Sequence, residues 1–227
     1  MAKKRITKRE LKRDEFIEIA TKFIFFARRH KEILIGAVVA IIIGIFGISY
    51  HLKGKRGDEL KAEFELTVAN NLFLRGDYEN AFSQYQLLID RYGGTRPAKK
   101  AIYYLANTAF TVGSYEEAIR KYERFLSVES KDEILLPSTL FGIAASYEQL
   151  GDWLGAATYY EKVSERFPDS FLAPRALLNA GRCYENISLF DEAESAYRKV
   201  KEKYANSMVI LEAETALAFL KGRREAH

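Results

Sequence analysis

Across roughly residues 60 to 205, apolar and polar positions alternate at helical spacing. In one stretch Ala118, Ile119, Tyr122, Phe125 and Leu126 share a side, while Glu116, Glu117, Arg120, Lys121, Glu123 and Arg124 take the other. Ala156, Tyr159, Tyr160 and Val163 repeat the arrangement further on. Apolar residues returning every three or four positions predict amphipathic helices. Breaker-rich segments punctuate them: Gly93-Gly94-Thr95-Arg96-Pro97, Glu129-Ser130-Lys131-Asp132 through Pro137, and Phe167-Pro168-Asp169-Ser170 through Pro174. Each places a proline where the first turn of a new helix tolerates it. The pattern predicts an all-α chain of helices joined by short loops.

The helices recur as pairs. Gly76-Asp77-Tyr78, Gly113-Ser114-Tyr115, Gly151-Asp152-Trp153 and Ser188-Leu189-Phe190 mark four turns, each followed by an alanine at Ala81, Ala118, Ala156 and Ala193. The alanines are 37, 38 and 37 residues apart, and a tyrosine lies four residues beyond each, at Tyr85, Tyr122, Tyr160 and Tyr197. Seven residues before each turn stands another small residue, Ala69, Ala106, Ala144 or Gly181. Small side chains on both helices of a pair permit close approach, and a fixed period of this length marks units that bury their apolar faces by stacking. The predicted units are 61–97, 98–135, 136–173 and 174–206, with a capping helix and tail at 207–227. The fourth unit departs from the pattern at Ser188 and Glu194.

Ahead of the repeats, Ile33 to Leu52 runs twenty residues without a charged side chain. As a helix it measures about 30 Å, the thickness of a bilayer core, so the pattern predicts a transmembrane helix. Residues 1–32 hold eleven Lys and Arg against five acids, whereas the rest of the chain holds 24 basic and 26 acidic residues. A basic flank is retained in the cytoplasm, which predicts a cytoplasmic N-terminus and a repeat domain on the far side of the membrane. Residues 53–60 form a short linker in this reading. Phe16, Phe23 and Phe26, with Arg28 and Arg29, lie on a juxtamembrane amphipathic segment that fits the lipid headgroup layer or a partner subunit. Membrane lipid is thus an expected contact for residues 14–52. Beside such a span the basic tail reads as a topology and lipid signal, with no nucleic acid as partner.

The array resembles the tetratricopeptide repeat, which places a small residue in helix A, Gly-Asp-Tyr at the turn, Ala and an aromatic in helix B, and Pro after it. Its longer period, with Arg-Phe-Pro-Asp-Ser-Phe-Leu-Ala-Pro-Arg at 166–175, is similar to repeats of the Tol-Pal coordinator and outer-membrane assembly lipoproteins. The pairing of an anchor with such repeats is similar to the ancillary subunit family of the SecYEG translocon. The resemblance implies an α-solenoid of about four helix pairs whose helix A lines a groove for partner proteins. Carried over unit by unit, that groove holds Asn70 and Phe73, then Tyr103, Asn107 and Phe110, then Phe141 and Glu148, then Leu178, Arg182 and Glu185. It implies a single-pass protein of the bacterial inner membrane with its repeats in the periplasm, assisting export or assembly of envelope proteins. Translocon subunits, periplasmic chaperones or nascent secretory chains would be the partners. An envelope or cell-division coordinator and a cytosol-facing organelle receptor are the alternatives.

Candidate chemistry is sparse. The histidines are His30, His51 and His227, all outside the repeats, so no histidine dyad or metal cluster is expected within them. Cys183 has no cysteine partner, and no phosphate-binding loop is present. Acidic pairs such as Glu116-Glu117 and Asp191-Glu192 fall at starts of helix B, where carboxylates complement the positive helix end. The chain is therefore expected to be no enzyme and to need no cofactor or metal.

Overall fold

A computed structural model describes residues 17, 18, 21, 22, 25, 26 and 28–225. Among these residues the structure is all helical, with nine principal helices: α1 (Lys31–Leu74), α2 (Tyr78–Tyr92), α3 (Arg96–Thr111), α4 (Tyr115–Val128), α5 (Leu135–Gln149), α6 (Trp153–Arg166), α7 (Ala173–Asn186), α8 (Phe190–Lys203) and α9 (Ile210–Glu225). The chain divides into two compact units, one reaching Arg56 and the other beginning at Gly57.

In the second unit each helix from α2 onward packs on the next. The paired small residues explain the spacing: Ala69, Ala106 and Ala144 of the first helices and Ala81, Ala118, Ala156 and Ala193 of the second are all fully buried. Tyr85, Tyr122, Tyr160 and Tyr197 are buried beside them. At Gly142 a Cβ would stand 2.5 Å from the Tyr122 ring, and at Gly181 it would overlap the Tyr197 ring. Close packing therefore requires glycine at these two helical positions.

The turns within pairs share one geometry. The amide of the residue after each turn position reaches back to a carbonyl one helical turn inside the preceding helix: Asp77 to Leu72, Ser114 to Ala109, Asp152 to Tyr147 and Leu189 to Tyr184, at 2.9 to 3.0 Å. Gly76, Gly113, Gly151 and Ser188 donate to Phe73, Phe110, Glu148 and Glu185. This double bond pattern closes a helix only if the turn residue is left-handed. The three glycines take φ of 79°, 83° and 77°, and Ser188 is held at 61°. Asp77 and Asp152 then cap the next helix through the amides of Asn80 and Gly155.

The first unit corrects an expectation. Ile33–Leu52 is helical, but the helix does not end with the apolar run; α1 continues through Lys53, Lys55, Arg56, Asp58 and Glu59 to Leu74. Residues 53–60, read as a linker, lie inside it. Among the described residues no helix is long and apolar enough to cross a membrane. The transmembrane helix at 33–52 and the assignment to the inner membrane, with cytoplasmic N-terminus and periplasmic repeats, are overturned by that finding. Described apolar residues of the run, including Ile33, Ile41 and Phe46, are exposed.

Candidate functional site

The first helices of successive pairs present their groove-facing residues in register. From α3 come Tyr103, Asn107 and Phe110, and from α5 come Ser138, Phe141, Gly142 and Ala145. Tyr122 of α4 forms part of the floor, and Phe171 and Leu172 close one side from the α6–α7 loop. Together they line a mainly apolar cleft of about 420 Å³. Phe171 is 76% exposed although it is a large apolar side chain in a loop.

Aromatic contacts hold the walls. Tyr103 lies 5.9 Å from the Tyr122 ring centre and 5.8 Å from that of Phe125, Phe110 packs edge-on to Tyr115, and Phe141 packs edge-on to the buried Tyr160. Such tilted pairs fix ring orientation as well as burying area. Tyr122 donates its hydroxyl to Asn107 Oδ1 at 2.5 Å. That bond sets the amide orientation and leaves the Asn107 NH2 as a donor on the cleft wall.

The same tyrosine recurs in every pair with a partner that changes. Tyr85 donates to Asn70 Oδ1 at 2.7 Å and Tyr122 to Asn107. Tyr160 donates instead to Glu148 Oε2 at 2.8 Å, and the Glu185 carboxylate is the charge that acts on Tyr197. The acceptor has moved one helical turn along, to the position that Phe73 and Phe110 fill in the first two pairs. Arg182 stands 3.7 Å from Glu148, and Glu185 Oε1 is buried with no hydrogen-bond partner. Desolvation, followed by the neighbouring carboxylate, pushes the phenols of Tyr160 and Tyr197 far above the ordinary value.

The expected groove residues thus divide. Tyr103, Asn107, Phe110 and Phe141 meet in the cleft. Asn70 and Phe73 hold the equivalent place in the first pair, with Phe73 edge-on to Tyr78. Glu148, Arg182 and Glu185 make the polar continuation. Leu178 is a correction: at 2% exposure it belongs to the core between pairs, because its side of α7 faces inward. Phe26, Arg28 and Arg29 are exposed, while Phe16 and Phe23 lie outside the described residues.

Sequence reasoning missed Tyr122 as cleft floor, and also Ser138, Gly142, Phe171 and Leu172. Phe171 carried a signal, being a large apolar residue directly after the Pro168-Asp169-Ser170 turn; Gly142 carried none, since its place in the period is held elsewhere by Thr67, Tyr104 and Asn179. Cys183 is buried, and desolvation followed by the Glu148 charge pushes its thiol up to about 12, so it is no nucleophile at neutral pH. Among the described residues no group of three metal-ligating side chains occurs.

Comparison with known proteins gives the class of this fold. Residues 141–207 match the tetratricopeptide repeat family. A tetratricopeptide repeat protein from Parabacteroides merdae superposes with a TM-score of 0.60 at 19% identity, over 72% of this chain and 61% of its own length. The chain therefore spans about three fifths of that relative. MamA from Desulfovibrio magneticus, beginning at its residue 41, gives 0.57 at 16% identity over 74% and 87%. YrrB, described as a TPR protein with an unusual peptide-binding site, gives 0.54 at 19% identity over 71% and 76%. At these identities the likeness shows the fold, an all-α repeat solenoid. No curated protein matches the chain.

Proposed function

We propose that this chain is a protein-recognition scaffold whose cleft between α3 and α5 takes an extended segment of another polypeptide. The observation that carries the reading is the convergence of Tyr103, Phe110, Phe141 and Phe171 around a preformed apolar space beside the oriented Asn107 amide. Aromatic walls supply contact area at small entropic cost, and the amide supplies a donor for a backbone carbonyl. The peptide-binding site named for YrrB supports the same use of this fold. Clients that suit the cleft are incompletely folded chains showing a large apolar side chain, a chaperone-like role in their handling or assembly.

Photo-crosslinkers placed at Tyr103 and Phe110, with exposed Arg124 as control, test the reading in the full chain. Adducts to a shared set of polypeptides from the cleft positions, abolished by Phe141→Ala, are expected. Equal capture from Arg124 sinks the cleft as a recognition site. A client peptide recovered this way should lose at least about tenfold in affinity with Phe110→Ala, the scale of about 1.4 kcal/mol for a buried aromatic contact.

A further inference from the structure

Helix α9 buries one side and leaves the opposite side apolar. Val209, Ala213 and Leu220 are buried, with Ala216 and Leu217 packed beside them against the preceding pair. On the far side stand Leu211 at 71% exposure and Phe219 at 63%, with Thr215, Ala218 and Gly222 also exposed, and Met208, just ahead of the helix, is 96% exposed. At about 100° per residue Leu211, Thr215, Ala218 and Gly222 fall on one line, in steps of four, three and four. That is the spacing of a helix–helix seam, and its small members admit a close neighbour. A repeat array normally ends in a helix with a polar outer face.

The flanking charges are ordered along this helix. Glu212 and Glu214 stand in its first half; Lys221 and Arg223 stand in its second. On a helical wheel Glu212 and Arg223 lie on one flank of the seam, Glu214 and Lys221 on the other.

We propose that this chain forms a two-fold dimer through the outer face of α9, the second copy's α9 running antiparallel to the first. Setting Leu211 against Gly222 of the second copy, and Thr215 against Ala218, brings Glu212 to within two residues, about 3 Å of axial rise, of the second copy's Arg223. Glu214 reaches the second copy's Lys221 by the same offset on the opposite flank. The two-fold repeats each pairing, so the interface is self-complementary. A parallel arrangement would place like charges side by side. Within the chain Glu212 accepts from Arg175 at 3.2 Å and Glu214 from Lys201 at 3.3 Å. Both are exposed pairs, and a carboxylate has lone pairs for a second cation. Arg223 rests 4.4 Å above the Phe190 ring, which holds its guanidinium at the flank of the seam.

Sedimentation equilibrium of the full chain should show a monomer–dimer equilibrium. Leu211→Glu with Phe219→Glu should convert it to monomer with an unchanged circular dichroism spectrum, because both side chains are solvent-facing in the single chain. Glu212→Arg or Arg223→Glu alone should weaken the dimer about tenfold, each change acting twice across the two-fold, and the double reversal should restore it. Mixing chains that carry Thr215→Cys with chains that carry Ala218→Cys should give an oxidised cross-link that neither gives as efficiently alone. Association untouched by the Leu211 and Phe219 changes overturns the proposal. So does open-ended growth stopped by Leu60→Glu and Phe64→Glu on α1, which would mean head-to-tail stacking. A chain that stays monomeric at about 100 µM, where an interface of even millimolar affinity begins to register, overturns it as well.

Discussion

The first two helix pairs and the last two bury the same tyrosine but satisfy its hydroxyl in different ways. In α1–α4 the acceptors are the neutral amides of Asn70 and Asn107, and the next turn carries Phe73 and Phe110. In α5–α8 the amides are gone and Ala145 and Arg182 hold their places; Tyr160 donates to the carboxylate of Glu148 in the phenylalanine position, and Glu185 is the charge beside Tyr197 in the same position of the last pair. One packing requirement, a partner for a buried phenol, is therefore met by two chemistries. The choice decides what the groove offers: an apolar wall with an amide donor in one half, a carboxylate step in the other. Core packing and the chemistry of the groove wall are thus coupled through the hydrogen bonds of Tyr85, Tyr122 and Tyr160.

Alkaline pH breaks the comparison most strongly. The phenols of Tyr85, Tyr122, Tyr160, Tyr184 and Tyr197 are all raised far above 10, first by desolvation. Because the folded values exceed the unfolded value of about 10, the stabilisation is fully present below pH 10 and is lost above it as the unfolded tyrosines release protons. Each phenol that stays protonated in the fold should cost about 1.4 kcal/mol of stability per pH unit above 10. Urea midpoints measured between pH 8 and 11 should hold level and then fall. Glu148→Gln should lower the Tyr160 titration seen by ultraviolet absorbance, by removing the adjacent charge, while leaving Tyr122 unmoved.

Removing one hydroxyl sharpens the same contrast at neutral pH. Tyr160→Phe strands the carboxylate of Glu148, whereas Tyr122→Phe strands the amide of Asn107. Urea denaturation should show a loss of about 2 kcal/mol for the first and about 1 kcal/mol for the second, since hydrogen bonds to charged groups are worth more. Equal losses would mean that both acceptors find water equally well. Gly142→Ala belongs on this scale also: its Cβ meets the Tyr122 ring, so it should cost about 1 to 3 kcal/mol despite alanine's better helix propensity.

The architecture was legible because it repeats. Alanines at a near-constant period, turn glycines and tyrosines four residues on give three coincident signals, and helix pairing follows from them without knowledge of any single contact. The cleft was half legible. Tyr103, Asn107, Phe110 and Phe141 sit at repeating positions of helix A, so periodicity found them. Phe171 and Gly142 do not repeat, and no period points to them. Leu178 shows the opposite failure: it occupies the column of Tyr103 and Phe141, yet α7 turns that column into the core. The membrane reading failed for another reason. An uncharged run reads as a helix with ends of its own, whereas α1 is continuous to Leu74 and, among the described residues, no helix is long and apolar enough to cross a membrane.

Ser188 tests whether the last pair is held by the same turn as the others. It is the one described residue other than glycine with positive φ, at 61° where Gly76, Gly113 and Gly151 stand. The left-handed conformation costs a residue with Cβ about 1 kcal/mol, so Ser188→Gly should stabilise the chain by about that amount and Gly151→Ser should cost as much. Thermal melts of the two variants should move in opposite directions.

The smallest stability effect is the most informative about recognition. Arg182 is mostly exposed and lies 3.7 Å from Glu148, a distance at which a surface ion pair contributes from nothing to about 1 kcal/mol. Arg182→Ala should therefore leave the urea midpoint almost unchanged. It nonetheless removes a positive charge beside Glu148, and with it the cation that competes for that carboxylate. If the last two pairs take part in recognition, the variant should bind client peptides carrying Lys or Arg beyond their apolar anchor more tightly, with no change for peptides that lack one. An unchanged preference would confine recognition to the apolar cleft between α3 and α5 and leave the carboxylates as partners of the buried tyrosines alone.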